Sequence, residues 1–529
     1  MRYIFIVLLF PFFLFSQSVA EKILANMSLD EKIGQLFMIP ACPKRDDNHL
    51  KDVKYLIENF HISNVIIKAS DPKSQIEFLN NLQKFSKYPL LVAADAEWGL
   101  GMRMENTISF PKNMTLGAIQ NDTFLYEMGK EIAKELKAVG VHINLAPVVD
   151  INNNPNNPTI NMRSFSDDRK IVTKKAYQIM KGMQDQNIIA CLKHFPGYGD
   201  VSVDPHLDLP VAYHERQRLD EIEFYPYKFL IDQNAQAIMS AHIIFKNISD
   251  LPATMSKEII DILIDDMNFK NLLITDALNM KALTNHYSIE DIALLSHTAG
   301  HDILLYGDHI NPNVDDILKN QIPKAFQAIK NAYLENKLDI EKLDRHVLKI
   351  LEAKERLNLF ENRFVGDYNP KIFFNSKISK LKEDLFSNSI TIVKNKNQLP
   401  FNIFNNFIYV SSKENFEKDP FVQELLDFHI DCFSFFYEKL QEYCEYRNVI
   451  FNVFESDITD VFLEKIYLLD PQKTTIVLFA SPYFLKHFKN FDNIILAYQE
   501  DEYAYFTSFE CIFRDNNATG ILPIDIKSL

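Results

Sequence analysis

Short apolar runs that each stop at a charged or polar side chain recur through the first part of this chain, and they constrain its fold more than any other feature. NVIIK ends at Lys68, LLVAAD at Asp95, INLAPVVD at Asp150, IIACLKH at His194, AIMSAH at His242, LLITD at Asp276 and DILLY at Tyr306. Runs of about 4 to 8 apolar residues read as strands buried on both faces, whose C-terminal tips carry polar function. Between them lie amphipathic segments of helical length, such as DTFLYEMGKEIAKELKAVG, IVTKKAYQIMKGMQ and SKEIIDILIDDMNF. Strand and helix alternating over roughly 300 residues predict βα units, a mostly parallel sheet, and a closed (β/α)₈ TIM-type barrel. In such barrels the chemistry sits at the C-terminal ends of several strands, where Asp95, Lys193, His194 and Asp276 fall.

The barrel pattern opens at SLDEKIGQLFMI, where Ser28 and Glu31 have capping-box spacing, and closes with IEKLDRHVLKILEAKERLNLF. The polar stretch ENRFVGDYNP marks a boundary, after which ITIVKN, NFIYVSS, NVIFNVF, TTIVLFAS and NIILAYQ read as strands. FVQELLDF and DVFLEKIYLL are helical pieces among them, so a smaller α/β domain follows the barrel. The division is residues 1–20, 21–365 and 375–529. The first is a secretory signal: one basic residue at Arg2, an apolar stretch from Tyr3 to Phe15, and small residues at Ser18 and Ala20. It is short for a bilayer span, no cysteine near its end offers a lipid acceptor, and no later segment spans, so an exported, periplasmic or secreted protein is expected. A net charge of −15 without basic runs argues against nucleic acid or an anionic membrane surface as partner. Cys42, Cys191, Cys432, Cys444 and Cys511 lack CxxC spacing, so buried thiols are expected, with a Cys432–Cys444 pair left open.

Chemistry concentrates in KHFPGYGDVSVDPHLDLP, residues 193–210, and in NLLITDALNM. Asp276 is a lone carboxylate at a strand tip, suited to attack an anomeric carbon that develops positive charge, or else a structural aspartate. Asp204 and His206 flank Pro205, which keeps the segment out of helix, so the carboxylate can fix the imidazole tautomer while the imidazole exchanges a proton near neutral pH. Asp95 and Arg103 in ADAEWGLGMRM, Arg163 in NMRSFSDD, and Lys193 with His194 are tip groups able to grip several sugar hydroxyls, or to form rim salt bridges. Trp98 packs the loop or stacks on a sugar. Histidines without i, i+4 spacing and the absence of a GxxxxGK[ST] loop point to no metal or nucleotide cofactor.

With ADAEWG, INLAPVVDINNNPNNPTINMRSF, KHFPGYGDVSVDPH, IMSAHI followed by LPATMS, and ITDALNM in that order, the chain resembles glycoside hydrolase family 3, in its β-N-acetylhexosaminidase branch. The resemblance covers most of residues 28–310 and implies Asp276 as nucleophile, His206 as general acid/base and Asp204 as its partner. It implies Asp95, Arg103, Arg163, Lys193 and His194 as the sugar-holding set. The Asp-x-His loop, absent from the β-glucosidase branch, implies an N-acetyl sugar. Tyr198 stands where the family motif most often reads histidine, and Pro205 where it reads serine. The region after the boundary looks like a shortened second domain of the family.

The implied reaction is retaining, exo-acting release of terminal N-acetylglucosamine from peptidoglycan fragments, muropeptides or chitin-type oligosaccharides through a covalent glycosyl-aspartate. Three rivals stay open: a β-glucosidase or β-xylosidase, a phosphorylase whose anionic acceptor a histidine does not repel, and a sugar-binding protein without turnover.

Overall fold

The computed structural model describes residues 17–529 except 309–312, 397–398, 403–405, 414–416, 418–421, 423–424, 426–429, 435–446, 515–517, 526 and 528–529. Most of the export segment, Cys444 with its pairing to Cys432, and most of FVQELLDF lie outside the described residues.

In the barrel region the strands are β1 Phe37–Ala41, β2 Asn64–Ile67, β3 Leu91–Ala94, β4 Ile143–Asn144, β5 Ile189–Phe195, β6 Val211–Ala212, β7 Ala237–Ser240, β8 Ile244–Phe245, β9 Leu272–Thr275 and β10 Leu304–Leu305. Eight of them pair in the order β10-β1-β2-β3-β4-β5-β7-β9, every pairing parallel. A parallel bridge from Ile274 to Ile303 brings the two ends together, so the sheet closes and leaves no edge. β6 and β8 form a separate short ribbon beside the barrel.

Period-two alternation divides the strand residues between two cores. Leu91, Ala93, Ile189, Cys191, Ala237, Met239, Leu272 and Ile274 pack together in the barrel interior. Val92, Ala94, Ala190, Leu192, Ile238 and Leu273 join the helical layer outside. The capping box at Ser28 and Glu31 is formed in both directions and starts the helix Leu29–Gln35. The helices Thr123–Ala138, Arg169–Gln184 and Ile340–Arg356 match the amphipathic segments of the sequence. The segment read as SKEIIDILIDDMNF is helical as well, but after Asp261 it widens into a π turn over Ile262–Asp266.

A further capping box, Ser18 with Glu21, starts the helix Val19–Leu24, whose first amides, Val19 N and Ala20 N, each donate to Glu355 at 3.1 Å. A chain beginning at Glu21 lacks that first turn and its cap.

The second sheet comprises β11 Thr391–Asn395, β12 Phe407–Ser411, β13 Asp431–Ser434, β14 Asn448–Phe454, β15 Thr474–Phe479 and β16 Asn493–Leu496, in the order β11-β16-β15-β14-β12-β13. Only β11 runs antiparallel to its neighbour. One face of this sheet packs with Met114 and Ala118 of the barrel region. The junction is also hydrogen-bonded: Ser481 Oγ donates to Asn161 Oδ1 at 2.7 Å, Tyr483 OH to the Asn152 carbonyl at 3.1 Å, and Lys112 N to Gln499 Oε1 at 2.8 Å. The second domain therefore seats on the loop that follows β4.

Glu135, in the helix Thr123–Ala138, has a fully buried carboxyl that only the backbone of Leu100 approaches as a donor among the described residues. Burial, helped by the nearby Glu131, pushes its pKa up to about 8. The folded protein keeps Glu135 neutral where the unfolded chain ionises it, so stability falls as pH rises from about 4.5 to about 8. Glu135→Met is expected to raise stability, and with it the thermal midpoint, more at pH 8 than at pH 5, the free-energy difference between the two gains being at most about 4 kcal/mol. Equal shifts at both pH values in calorimetry would show that Glu135 ionises as readily in the fold as in water.

Candidate active site

Alternation along the strands decides which tips turn inward. Asp95 continues the Leu91, Ala93 phase, Lys193 the Ile189, Cys191 phase, and Asp276 the Leu272, Ile274 phase, so all three point into the barrel mouth. All three line one pocket of about 150 Å³ together with Arg103, Arg163, His194 and His206. His194 is out of phase with Lys193, and β5 accommodates it by a register shift: Lys193 pairs with Met239, and Phe195 already with Ser240. That bulge turns His194 into the pocket as well.

One end of the pocket is a charge lattice. Lys193 Nζ lies 2.9 Å from Asp95 Oδ1 and 2.9 Å from Glu97 Oε1. Arg103 Nη2 reaches Asp95 Oδ2 at 3.2 Å. Arg163 clasps Glu97 with two donors, Nε at 3.0 Å and Nη2 at 2.7 Å. Burial alone would raise the Glu97 carboxyl, but Arg163 and Lys193 outweigh it and hold the pKa down to about 2. Burial would likewise strip Lys193 of its proton, and Asp95 with Glu97 more than offset it. Asp150 holds the next position, with Oδ2 2.8 Å from His194 Nδ1 and Oδ1 accepting Tyr198 N at 2.7 Å. Asp95 and Glu97 thus meet Arg103, Arg163 and Lys193, while Asp150 fixes His194 and the backbone of Tyr198.

The other end carries Asp276 and His206. Asp276 is buried, and its Oδ1 accepts Ala277 N at 2.7 Å. His206 Nδ1 stands 2.7 Å from Asp204 Oδ1, which also accepts His206 N at 2.9 Å. The dyad segment leans on the stretch just after Asp276: Ala282 N donates to the Pro205 carbonyl at 3.3 Å, and His286 Nε2 lies 2.8 Å from Asp208 Oδ1. Its start is fixed by close backbone approach, since a Cβ on Gly199 would lie 1.7 Å from the Ile151 carbonyl oxygen. Its end is anchored in the β6/β8 ribbon, where Ile244 N donates to the Pro210 carbonyl at 3.0 Å.

Every residue singled out from the sequence for sugar holding reaches this pocket. Asp204 stands behind His206 as its partner. Two members of the lattice were not singled out, Glu97 and Asp150. Their signal was present: Glu97 lies inside ADAEWG, and Asp150 ends an apolar run. Trp98 is half-buried, with Lys112 Nζ 5.6 Å from its ring centre. Cys42, Cys191 and Cys511 are buried free thiols. Among the described residues no group of three or more His, Cys, Asp or Glu is arranged to hold a metal ion, and no helix is long and apolar enough to cross a membrane.

Comparison with known proteins gives consistent relatives. The model of the glycosyl hydrolase family 3 N terminal domain matches residues 28–352. The chain is 30% identical over 382 residues to the β-hexosaminidase A of Pseudoalteromonas piscicida, a match over 66% of this chain and 62% of that one, so it spans less than two thirds of that relative's length. It is 26% identical over 399 residues to a β-N-acetylglucosaminidase/β-glucosidase of Cellulomonas fimi, covering 73% of this chain and 68% of that one. In three dimensions it follows a glycoside hydrolase family 3 β-N-acetylglucosaminidase from Paenibacillus sp. with a TM-score of 0.81 at 24% identity, over 94% of this chain and 99% of that one.

Proposed function

This chain belongs to glycosyl hydrolase family 3, and from that premise we propose that it is a retaining, exo-acting β-N-acetylhexosaminidase. The observation that carries the reading is the Asp204–His206 pair, 2.7 Å apart, brought to the pocket that holds Asp276. The lattice of Asp95, Arg103, Arg163, Lys193 and His194 grips the sugar. Asp276 attacks the anomeric carbon, and the imidazole of His206 protonates the departing oxygen. With Nδ1 committed to Asp204, the proton that moves is the one on Nε2. In the second half of the reaction the same nitrogen takes a proton from water, which attacks C1 and releases the sugar from the aspartyl ester. The substrates we propose are N-acetylglucosamine-ended peptidoglycan fragments or chitin-type oligosaccharides, met after export.

A second reading shares every residue. A histidine acid/base carries no negative charge, so an anionic acceptor such as phosphate approaches it without the repulsion a carboxylate exerts, and phosphorolysis replaces hydrolysis.

Release of nitrophenol from the β-N-acetylglucosaminide and from the β-glucoside, with and without phosphate, tests both. Preference for the acetamido sugar is expected, and equal or greater activity on the glucoside would overturn the substrate assignment. A sugar phosphate appearing as product would select the second reading, and no response to phosphate would remove it.

A further inference from the structure

Tyr198, the residue that replaces the family motif's usual histidine, is buried to within 1% of full enclosure and lines the same pocket as Asp276 and His206. Its backbone is held at both ends: Tyr198 N donates to Asp150 Oδ1 at 2.7 Å, and its carbonyl accepts Asn157 Nδ2 at 2.6 Å. Its ring lies against the His194 ring at 5.1 Å. Its phenol oxygen accepts the backbone N–H of His242. His242 is itself fixed, with Nε2 donating to the Ala277 carbonyl at 3.0 Å and Nδ1 2.8 Å from Thr254 Oγ1. The phenol is thus tied through one residue to the backbone immediately after Asp276.

A phenol has one hydrogen to give, and its oxygen is already occupied as an acceptor. Among the described residues that hydrogen has no acceptor, in a site where an unmade bond is costly. Burial and the Asp276 charge keep the group protonated far above neutral pH. It is a donor that the fold prepares and leaves for a ligand.

The position of the donor narrows which ligand atom it meets. In the functional reading above Asp276 stands against C1, and Tyr198 lines the same small pocket, which also encloses the neighbouring carbon, C2. Leu145, Met239 and Leu305 line the same pocket and offer an apolar surface for a methyl group. Resting on the functional reading above, we propose that Tyr198 donates its hydroxyl hydrogen to the carbonyl oxygen of the sugar's 2-acetamido group and thereby sets the preference for N-acetyl sugars. A 2-hydroxyl sugar has no carbonyl oxygen to accept this hydrogen, so the bond distinguishes the two sugars. A site built to bond a polar group discriminates strongly against the analogue that lacks it.

The test is the ratio of kcat/KM on the nitrophenyl β-N-acetylglucosaminide to that on the β-glucoside, in the wild type, Tyr198→Phe and Tyr198→His. In Tyr198→Phe the ratio is expected to fall about 10-fold or more, because the loss on the acetamido sugar exceeds any loss on the glucoside. Tyr198→His, which keeps an N–H donor, is expected to hold the ratio above that of Tyr198→Phe. An unchanged ratio in both variants, or an equal fall on both substrates, overturns the role of Tyr198 while leaving the wild-type preference to stand. A wild type that does not favour the acetamido sugar overturns the functional reading, and the assignment to Tyr198 with it.

Discussion

Asp276→Ala is expected to lower kcat by on the order of 10⁴-fold or more, with binding of the free sugar retained. The magnitude follows from what is removed. No other carboxylate stands on the inward phase of β9, and the Asp95, Glu97 and Asp150 carboxylates are each engaged by Arg103, Arg163, Lys193 or His194. Without the attacking oxygen, the barrier rises by about 5.5 kcal/mol for four decades of rate. The sugar lattice does not include Asp276, so affinity for N-acetylglucosamine is expected to survive. Small anions supply a second check. Azide entering the space the carboxylate vacates attacks C1 from that face, so a β-linked substrate yields the α-glycosyl azide. Unimpaired turnover would remove Asp276 from the role of nucleophile. Turnover rescued by azide with the β configuration would remove the retaining mechanism.

Glu97→Ala carries the second large effect, felt in stability as well as rate. Glu97 is the common partner of Arg163 and Lys193, both drawn into a buried lattice. Removing one member of a buried ion set leaves the others charged without compensation, which costs about 3–5 kcal/mol. The two cations also lose their fixed geometry, and kcat/KM is expected to fall about 10²-fold. The pH dependence gives an independent signature. Because the Glu97 carboxyl is held down to about 2, its contribution to stability is complete above the ordinary carboxylate value of 4.5 and is lost as pH falls from there toward 2. Glu97→Gln should therefore flatten the acid limb of the stability curve measured by urea unfolding between pH 3 and pH 7. A variant that keeps both wild-type stability and wild-type acid sensitivity would show that Arg163 and Lys193 do not depend on it.

How far the sequence reveals this arrangement depends on the kind of signal. Seven barrel strands are visible because each apolar run ends at a charged or polar side chain. The remaining one, β1, is hidden: Phe37–Ala41 follows a helix without a break and contains Pro40, which argues against a strand except where no ladder bond is asked of it. In INLAPVVD the expected strand shrinks to Ile143–Asn144, because the chain leaves the ladder before Pro147 and returns only as a bridge from Val148 to Lys193. β13 lies in DCFS, a segment with little apolar content to announce it. Within the site, Asp276, His206 and Asp204 are legible because strand tips and an Asp-Pro-His turn each have a chemistry of their own. Glu97 and Asp150 stand in equally marked places, but their contacts with Arg163, Lys193 and His194 join residues far apart along the chain and are not legible there. The bulge that admits His194 is equally silent, because register is decided between strands and not within one.

The hydrogen bonds from Ser481 and Tyr483 to Asn161 and Asn152 make the loop after β4 a shared possession of the two domains. Arg163 closes the same loop, two residues past Asn161. Parting of the domains therefore uncovers Met114 and Ala118 and frees the loop that carries Arg163, while the barrel interior stays closed. Domain junctions open at lower free energy than the cores they join, so on heating, inactivation and global unfolding become two events, the first reversible on cooling as long as the second has not begun.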